Sequence, residues 1–290
     1  MLFASCHNHS TFSDGTYTPE KLISLAKELG HGGIILTDHD TVRGTYFLQK
    51  EARKQGMLSI LGCEFGTVHK GVDVHLLGFD FNPDQEDMKK LLQRVSNRQT
   101  QRSHLLMDWG MERGTLPAGI TWKDVTDKWC YNDYLCNNQI FETFVEKGLL
   151  ERKDYPNFFE NNFRPTKEQS KKISEIIGYG APSTEEVIRT VLKAGGGPVV
   201  AHPHRLQPYA EELVGLGAMG FETIHPNLDE EDHAFFNAFC EEHHLYKMGG
   251  QDHSSVLGGY ADVLAYHDLP ADCGGVTEED FMKLYRRELG

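Results

Sequence analysis

The chain has 290 residues, of which 39% are hydrophobic and 10% aromatic, and its formal net charge is −14. This length allows one large domain or about two of ordinary size, and the apolar content is enough for a full core rather than a disordered chain. The acidic balance argues against non-specific binding to nucleic acid, which needs a basic surface.

Neither a membrane span nor a secretion signal is visible. No apolar run reaches the roughly 18 residues that cross a bilayer, and the N-terminal segment lacks the basic region and cleavage site of a signal peptide. The six cysteines are scattered without CxxC spacing, which favours free thiols in a reducing compartment. We therefore expect a cytoplasmic protein without a membrane partner.

Seven apolar runs predict strands, and nearly every run ends in a side chain that can bind a metal ion. The runs span residues 2–6, 33–37, 57–62, 72–79, 197–201, 218–223 and 245–250. The side chains at their ends are His7, His9, His39, Glu64, His202, Asp252 and His253, and His75 lies within the fourth run. Strands and helices with short connections indicate a parallel α/β fold, whose strand ends open on one face. The ligands are therefore expected to converge at the mouth of an α/β barrel.

The first and last predicted helices have clear boundary signals. Thr18 can cap the first helix, Pro19 suits its first position and Gly30 follows its last turn. Thr277 begins the last helix, with Asp280 three residues later, which is close to a capping box.

The middle of the chain has a different pattern, mainly helical and polar, with no convincing buried strand. We predict that residues 83–185 form an inserted helical subdomain, a lid over the site. Residues 1–82 and 186–290 would then form a discontinuous metal-binding barrel.

The ligand types indicate the metal chemistry. Imidazole and carboxylate without thiolate suit Zn, Mn or Fe, and a bridging carboxylate can hold two ions about 3.5–4 Å apart, as in two-metal phosphate chemistry. Glu64 is the candidate bridge, with an ordinary ion pair as the alternative. Bound divalent ions would reverse the acidic field locally, so an anionic substrate remains possible. Neither a GxSxG elbow nor a P-loop is present.

Several of these segments, taken together, resemble the polymerase-and-histidinol-phosphatase (PHP) family. Residues 6–15, Cys-His-Asn-His-Ser-Thr-Phe-Ser-Asp-Gly, and residues 36–41, Leu-Thr-Asp-His-Asp-Thr, are similar to its first two motifs. Residues 62–65, 75–79 and 200–203 resemble the next ones in order. The likeness covers residues 1–82 and 186–268. It implies a distorted (β/α)7 barrel and hydrolysis of small phosphate esters.

The helical insertion resembles that of the stand-alone, nucleotide-hydrolysing branch of this family. Relatives there act on nucleoside monophosphates, 3′,5′-bisphosphates, cyclic phosphodiesters or RNA ends, and a sugar phosphate is a further candidate. They usually carry an Arg-x-His segment where this chain has Cys136-Asn137-Asn138.

The resemblance also implies two to three divalent ions. The first would bind His7, His9, Glu64 and Asp252, the second Glu64, His75 and His202, and the third Asp14, His39 and a histidine after the last strand. The family usually shows Asp-x-His there, whereas this chain has Asp252-His253-Ser254. Either His253 reaches the third ion or Ser254 occupies the position and weakens that site.

The expected reaction is in-line attack on phosphorus by a hydroxide that bridges two ions. Arg205 is the expected phosphate clamp, since a guanidinium can grip two oxygens. The catalytic set is predicted to be Glu64, Asp252, His253 and Arg205. Other candidates for the substrate pocket or for contacts to the ligands are Arg43, Arg164, His204, His225, Ser254 and Asp40.

The expected partner is a small phosphorylated substrate rather than an extended nucleic acid. An amide-bond hydrolase, an exonuclease acting on RNA ends and a catalytically silent metal-binding module are the alternatives.

Overall fold

The computed structural model describes residues 2–252 and 274–288, in which seven strands and eleven α-helices follow one another. The strands are β1 Ala4–Ser5, β2 Gly33–Ile34, β3 Gly62–His69, β4 Val72–Phe79, β5 Gly197–Val200, β6 Gly220–Ile224 and β7 Tyr246–Gly249. The helices are α1 Pro19–Glu28, α2 Arg43–Gln55, α3 Glu86–Glu112, α4 Trp122–Lys128, α5 Asn137–Glu146, α6 Tyr155–Asn162, α7 Lys167–Ile177, α8 Thr184–Lys193, α9 Ala210–Leu216, α10 Glu230–Glu242 and α11 Glu278–Arg286. The predicted site residues His253 and Ser254 lie outside the described residues.

The strands form two sheets in which neighbours follow chain order. β1 and β2 are a parallel pair, and β3, β4, β5, β6 and β7 form a second sheet in that order. A backbone hydrogen bond of 3.0 Å from Cys6 N, directly after β1, to Gly249 O of β7 connects the two sheets. Ile34 N of β2 donates to Leu58 O, ahead of β3, also at 3.0 Å. The predicted α/β fold is confirmed. None of the described helices combines the length and the apolar character needed to cross a bilayer.

β4 departs from the predicted parallel arrangement, because it pairs antiparallel with both β3 and β5. Only Lys70 and Gly71 separate β3 from β4, and both have positive φ, 49° and 84°. So short a connection permits only a hairpin, whereas parallel neighbours need a crossover of about a dozen residues or more. His75 therefore lies in the middle of a strand and not at a carboxyl end.

The third strand begins later than predicted. The apolar run at residues 57–62 predicts a strand that stops before Glu64, but β3 starts at Gly62 and continues to His69. Its extent follows from its hairpin partner, since all eight residues of β3 pair with β4, whereas Leu58 makes only an isolated bridge to Gly33. Cross-strand pairing outweighs apolar content in setting where a strand begins and ends.

The helix boundaries predicted from capping signals are confirmed. Thr18 is the N-cap of α1 and accepts a hydrogen bond from Lys21 N, and Pro19 follows as its first residue. Thr277 caps α11 in the same way, accepting from Asp280 N at 3.2 Å.

The buried apolar side chains form several clusters, one of which belongs to the helices between β4 and β5. That cluster contains Leu106, Met107, Phe141, Phe144, Phe158, Phe163 and Ile173, among others. A second cluster, against the five-stranded sheet, includes Phe65, Val200, Phe221, Val187 and three residues of α3, Met88, Leu91 and Val95. α3 therefore packs in both.

Candidate metal centre

Side chains from the ends of several strands meet at one edge of the sheets, which we call the carboxyl edge. It consists of residues 7–15, 37–42, 201–206, 225–229 and 250–252. Parallel bridges between Asn8 and Asp252 and between His39 and Glu64 hold its segments together. The side chains of all described residues predicted to be metal ligands meet there, and those of Glu64 and His75 come from within β3 and β4. The full set is His7, His9, Asp14, His39, Glu64, His75, His202 and Asp252.

Glu64 lies at the centre of this group, and its two carboxylate oxygens face different imidazoles. Oε2 lies 3.1 Å from Nε2 of both His7 and His9 and 3.3 Å from His39 Nε2. Oε1 lies 2.8 Å from His75 Nδ1 and 3.1 Å from His202 Nε2. A carboxylate with one oxygen directed to each of two ligand sets has the geometry of a bridge between two ions.

The first ligand set consists of His7, His9, Glu64 and Asp252. The Nε2 atoms of His7 and His9 are 3.1 Å apart, and Asp252 Oδ1 is also 3.1 Å from His9 Nε2. Ligand atoms around a tetrahedral ion with bonds of about 2.0–2.1 Å lie roughly 3.3–3.4 Å apart. Because two imidazole nitrogens facing each other share at most one proton, this spacing fits a shared divalent cation.

Two further sets extend the centre toward its open side. His75 and His202 share Oε1 of Glu64, and both are partly exposed, at 33% and 24% of the side chain. Asp14 lies 3.5 Å from His9 Nδ1 and 3.7 Å from His39 Nε2. This side of the centre is therefore accessible to solvent.

The buried charges of the centre shift one another's titration in the absence of an ion. Burial lowers the pKa of His7, but the charges of Glu222, Glu64 and Asp252 outweigh it and hold that pKa well above its usual value. Burial opposes ionisation of Glu64 as well, yet the surrounding imidazoles hold the pKa of its carboxyl well below its usual range. A bound cation would replace the protons on these imidazoles, since only a deprotonated nitrogen ligates.

Glu222 is a buried acid that the strand pattern does not identify as part of the site. Both of its oxygens lie 3.1 Å from His7 Nδ1, and Oε2 accepts a hydrogen bond of 2.6 Å from His202 N. The contact places the His7 proton on Nδ1 and leaves Nε2 free to bind a metal. Its position in the middle of the buried strand β6 could have identified it. Burying a carboxylate without a partner costs free energy, so an acid at that position implies a polar partner such as an imidazole.

Asp38 is a second buried acid that the sequence did not mark as part of the site. It accepts hydrogen bonds from Ser10 N at 2.6 Å and from the hydroxyls of Ser10 and Ser13 at 2.7 Å each. The loop that carries His9 and Asp14 is thereby fixed. Gly15 completes its turn where a Cβ would lie 2.2 Å from His9 O, so no larger residue fits without rearrangement.

Four residues of the carboxyl edge have left-handed backbone conformations that are costly for non-glycine residues. They are Asp40, His202, Arg205 and Asp252, with φ of 56°, 28°, 62° and 51°. Such strain persists only where the surrounding structure enforces it, and it concentrates at functional sites.

The predicted substrate-binding residues lie in different surroundings. Arg205 is exposed beside a cavity of about 740 Å³ that His204 and Gln207 also line, and within the described residues no carboxylate oxygen is within 4.0 Å of its guanidinium group. Arg43 contacts Asp133 at 3.5 Å and donates to Tyr131 O. Arg164 pairs with Glu160 on the surface.

The two histidines predicted beside the ligands are held by specific partners. His225 is buried, accepts a hydrogen bond at Nδ1 from Asn227 N and places Nε2 at 3.3 Å from Asp252 Oδ2. His204 contacts the buried carboxylate of Asp232 through Nδ1 at 2.6 Å. Asp40 is largely enclosed, and burial raises its pKa to about 7.

Residues 131–139, which comprise most of the connection after α4 and the first turn of α5, lie directly on the loops of the carboxyl edge. Asn132 Nδ2 donates to Thr11 O at 2.9 Å, and the side-chain amides of Asn138 and Gln139 donate to Asp14 O and Ser13 O. Thr41 donates to Asp133 Oδ1 at 2.7 Å. The segment with Cys136-Asn137-Asn138 therefore covers the loop that bears Asp14.

Comparison with known proteins places these features in a family context. The family model described as PHP domain matches residues 5–180. A 3′,5′-nucleoside bisphosphate phosphatase from Chromobacterium violaceum is 26% identical over 287 residues, with 96% of each chain covered. A 5′-3′ exoribonuclease from Haemophilus influenzae is 32% identical over 199 residues, covering 69% of this chain and 68% of that one. A crystal structure from Bifidobacterium adolescentis, described as a metal-dependent phosphoesterase, has a TM-score of 0.77 at 24% identity, covering 100% and 97% of the two chains.

Proposed function

The chain belongs to the PHP (polymerase and histidinol phosphatase) domain family, and from this premise we propose that it is a metal-dependent phosphoesterase acting on a small phosphate ester. The observation that carries the proposal is Glu64, whose two oxygens face separate sets of imidazoles. The relatives named as a bisphosphate phosphatase and an exoribonuclease both act on phosphate esters. A nucleoside monophosphate, a 3′,5′-bisphosphate, a sugar phosphate and a cyclic phosphodiester are the candidate substrates.

The proposed architecture is a distorted (β/α)7 barrel with the helices of residues 83–185 as its cap. Residues 1–82 and 186–290 would form the barrel. The separate apolar cluster of the helices supports this division, and so do the hydrogen bonds from residues 131–139 to the loops of the carboxyl edge. Such a cap would shape the substrate pocket and exclude water.

Two to three divalent ions, Mn, Fe or Zn, are proposed to bind at the centre. His7, His9, Glu64 and Asp252 would hold the first, and Glu64, His75 and His202 the second. Asp14 and His39 would contribute to a third. When bound, such ions supply an activated water as nucleophile and positive charge for the phosphoryl oxygens.

The chain's own residues orient this centre and bind the substrate. Glu222 fixes the proton of His7 on Nδ1, and His225 directs its Nε2 at Asp252. We assign Arg205 to a phosphate oxygen of the substrate, because within the described residues its guanidinium has no acidic partner. His204, beside the same cavity, is proposed to contact the leaving group or a second oxygen.

The second candidate function is exonucleolytic hydrolysis of RNA ends. The similarity to the exoribonuclease of Haemophilus influenzae favours it, and the net charge of −14 opposes tight binding of a long polyanion.

Metal-reconstituted protein should be assayed in parallel against sugar phosphates, nucleoside monophosphates, bisphosphates, cyclic phosphodiesters, a short 5′-phosphorylated RNA and an amide substrate. Phosphate release from a small ester is the expected result. Faster turnover of the RNA would favour the nuclease, and hydrolysis of the amide alone would overturn the phosphoesterase assignment.

A further inference from the structure

The loop of residues 11–14, which bears the candidate ligand Asp14, is held by side chains that come from outside the loop. Asn138 Nδ2 donates a hydrogen bond to Asp14 O, and Gln139 Nε2 donates one to Ser13 O. A buried carbonyl without a donor costs about as much free energy as a lost hydrogen bond. Both donors lie in the first turn of α5, so the helices between β4 and β5 supply hydrogen bonds that this loop uses.

The loop is held through its donors as well as through its carbonyl oxygens. Asp38, which follows β2 in the chain, accepts a hydrogen bond of 2.7 Å from the Ser13 hydroxyl. Asn132 Nδ2 and Gln139 Nε2 both donate to Thr11 O, at 2.9 and 3.2 Å. Asp38 thus binds donors of the loop, and the segment that covers the loop binds its acceptors.

The side-chain amides that donate to the loop are themselves fixed in orientation. Gln139 Oε1 accepts a hydrogen bond of 2.9 Å from Cys136 N. Asn138 Oδ1 accepts one of 2.6 Å from the Tyr155 hydroxyl and one of 2.7 Å from Asn137 Nδ2. Rotating either amide by half a turn would place its oxygen against a carbonyl oxygen and lose these bonds. Each NH₂ group is therefore directed at the loop.

Burial makes these hydrogen bonds costly to lose. The exposed fractions of Asn138, Gln139 and Tyr155 are 3%, 2% and 4%, and a buried polar group costs free energy unless it is hydrogen-bonded. The Tyr155 ring packs edge-on against Phe141 at 5.0 Å, within the apolar cluster of the helices. A buried chain of contacts thus runs from that cluster through Tyr155 and Asn138 to the backbone of Asp14.

The position of this backbone decides where the Asp14 carboxylate lies. Its oxygens are 3.5 Å from His9 Nδ1 and 3.7 Å from His39 Nε2, and ligand atoms of these three residues lie within 4.8 Å of one another. Metal–ligand distances tolerate deviations of only about 0.2 Å. A small displacement of the loop would therefore weaken metal binding by Asp14.

We propose that Asn138 and Gln139 are positioning residues that hold Asp14 in place for metal binding, so that the helices between β4 and β5 complete the metal centre as well as cover it. The inference rests on the proposed metal-dependent function and concerns the ion that Asp14 would bind. The ions held through Glu64 depend on β3 instead. Helices exchanged in from another protein would keep Asp14 in place by supplying donors of their own.

Calorimetric titration of Mn²⁺ into metal-free protein tests this role without relying on turnover. In Asn138→Ala/Gln139→Ala the last ion to bind should bind about 10-fold more weakly than in wild type, as expected when a partner that orients a ligand is lost. Asn162→Ala is the matched control. Asn162 is equally buried, and its amide donates to Phe158 O at 3.0 Å within the same helices, so its loss should lower stability and leave metal affinity unchanged.

A double-mutant cycle shows whether the two amides act through Asp14. Effects of groups that act through one another do not add, whereas effects of independent groups do. In the Asp14→Asn background, removal of both amides should therefore cause no further loss of metal affinity. Additive losses would contradict the positioning role.

Gln139→Met keeps most of the side chain's size, removes the donor and serves if the double variant does not fold. Hydrogen exchange of metal-free protein should then show faster exchange at Ser13 N and Gly15 N, both of which donate to Ser10 O at 3.0 Å. Asn162→Ala should not change these rates. A wild type that binds no metal overturns the proposed function together with this inference. A wild type that binds metal, with amide variants that bind it equally well, overturns the positioning role alone.

Discussion

Glu64 touches more of the candidate centre than any other residue, since its oxygens contact five imidazoles. Glu64→Gln removes the charge and replaces one acceptor oxygen by a donor, so both ligand sets are damaged. We expect a larger loss of turnover than the roughly 10–100-fold that follows removal of an outer partner of a ligand, together with a lower metal content. Kinetics and elemental analysis on the same preparation measure both.

Cys63→Ala is the neighbouring control for that substitution. Cys63 is fully buried in the apolar cluster of the sheet, so its truncation should reduce thermal stability while metal content and turnover stay close to wild type. Equally mild effects of the two substitutions would show that Glu64 is not a bridge.

Glu222 should matter for metal affinity rather than for chemistry directly. Glu222→Gln keeps the size of the side chain but weakens its hold on His7 Nδ1 and His202 N. We expect metal affinity to fall by roughly 10–100-fold, measured by competition with a chromogenic chelator. Glu212→Gln, which removes an exposed partner of Lys70, should leave the affinity unchanged. An unaltered affinity in Glu222→Gln would remove Glu222 from the centre.

Arg205 offers a test of how the substrate binds. If Arg205 grips a phosphate that is not cleaved, Arg205→Ala should raise KM and nearly preserve kcat. Contact with the reacting phosphoryl group would instead lower kcat, on the order of 10²-fold or more. Arg205→Lys should rescue only partly, because an ammonium cannot make the two-point contact. Wild-type values of both parameters in Arg205→Ala would exclude the clamp.

The sequence predicts the candidate ligands more readily than the residues that orient them. His7, His9, His39 and Asp252 follow apolar runs, and the strand-end pattern predicts their convergence. Glu222 sits inside a strand and Asp38 inside a motif, where each contacts partners more than 20 residues away in the chain. Apolar periodicity describes local structure only. Contacts between residues so far apart in the chain depend on which strands become neighbours, so periodicity does not predict them.

At the scale of secondary-structure elements, the pattern of apolar runs and capping residues predicts where strands and helices occur better than it predicts how the strands pair. Each of the seven apolar runs contains or borders an observed strand, and the caps of α1 and α11 follow from Thr18 and Thr277. The antiparallel β4 was not predicted, because the hairpin is specified by the backbone of Lys70 and Gly71 rather than by apolar spacing. The length of the connection determines whether two neighbouring strands run parallel or antiparallel. A connection of two residues is too short to stand out in the pattern of apolar runs.

The helices between β4 and β5 offer a prediction about substrate choice. Exchanging them should change the preferred ester while the remaining chain keeps its metals, because a cap over the site would contact the substrate, whereas the candidate ligands come from the strands and the loops that follow them. The exchange should begin after Ser96, since Met88, Leu91 and Val95 belong to the cluster of the sheet. The Arg94 side chain pairs with Glu186, and the Tyr179 hydroxyl donates to Arg94 O at 3.3 Å, so contacts outside the exchanged segment hold the chain together near both of its ends.

The measurement is kcat/KM for a bisphosphate and for a monophosphate, and the ratio of the two values is compared between the wild-type and the exchanged chain. A deletion from residue 83 serves as the control and should destabilise the protein, since it removes apolar residues from the sheet. An exchanged chain with an unchanged ratio would contradict a role for the helices in specificity.

At the scale of the whole molecule, an acidic chain keeps most of its histidine cluster out of solvent. The centre buries His7, His9, Glu64 and Glu222 almost completely, although the chain already has a net charge of −14. Buried charges are tolerated when they are paired or coordinate a metal. Folding and metal binding should therefore be coupled.

That coupling predicts a stability change on removal of metal. An ion present at about 100 times its Kd stabilises the folded state by about 2.7 kcal/mol, which for a chain of this size shifts Tm by roughly 5–10 °C. Chelator-treated protein should melt lower by about this amount and recover with Mn or Zn, and elemental analysis should find at least two ions per chain. Glu64→Gln should respond less to added metal than wild type. An unchanged Tm, with less than one equivalent bound after reconstitution, would refute the metal-dependent phosphoesterase.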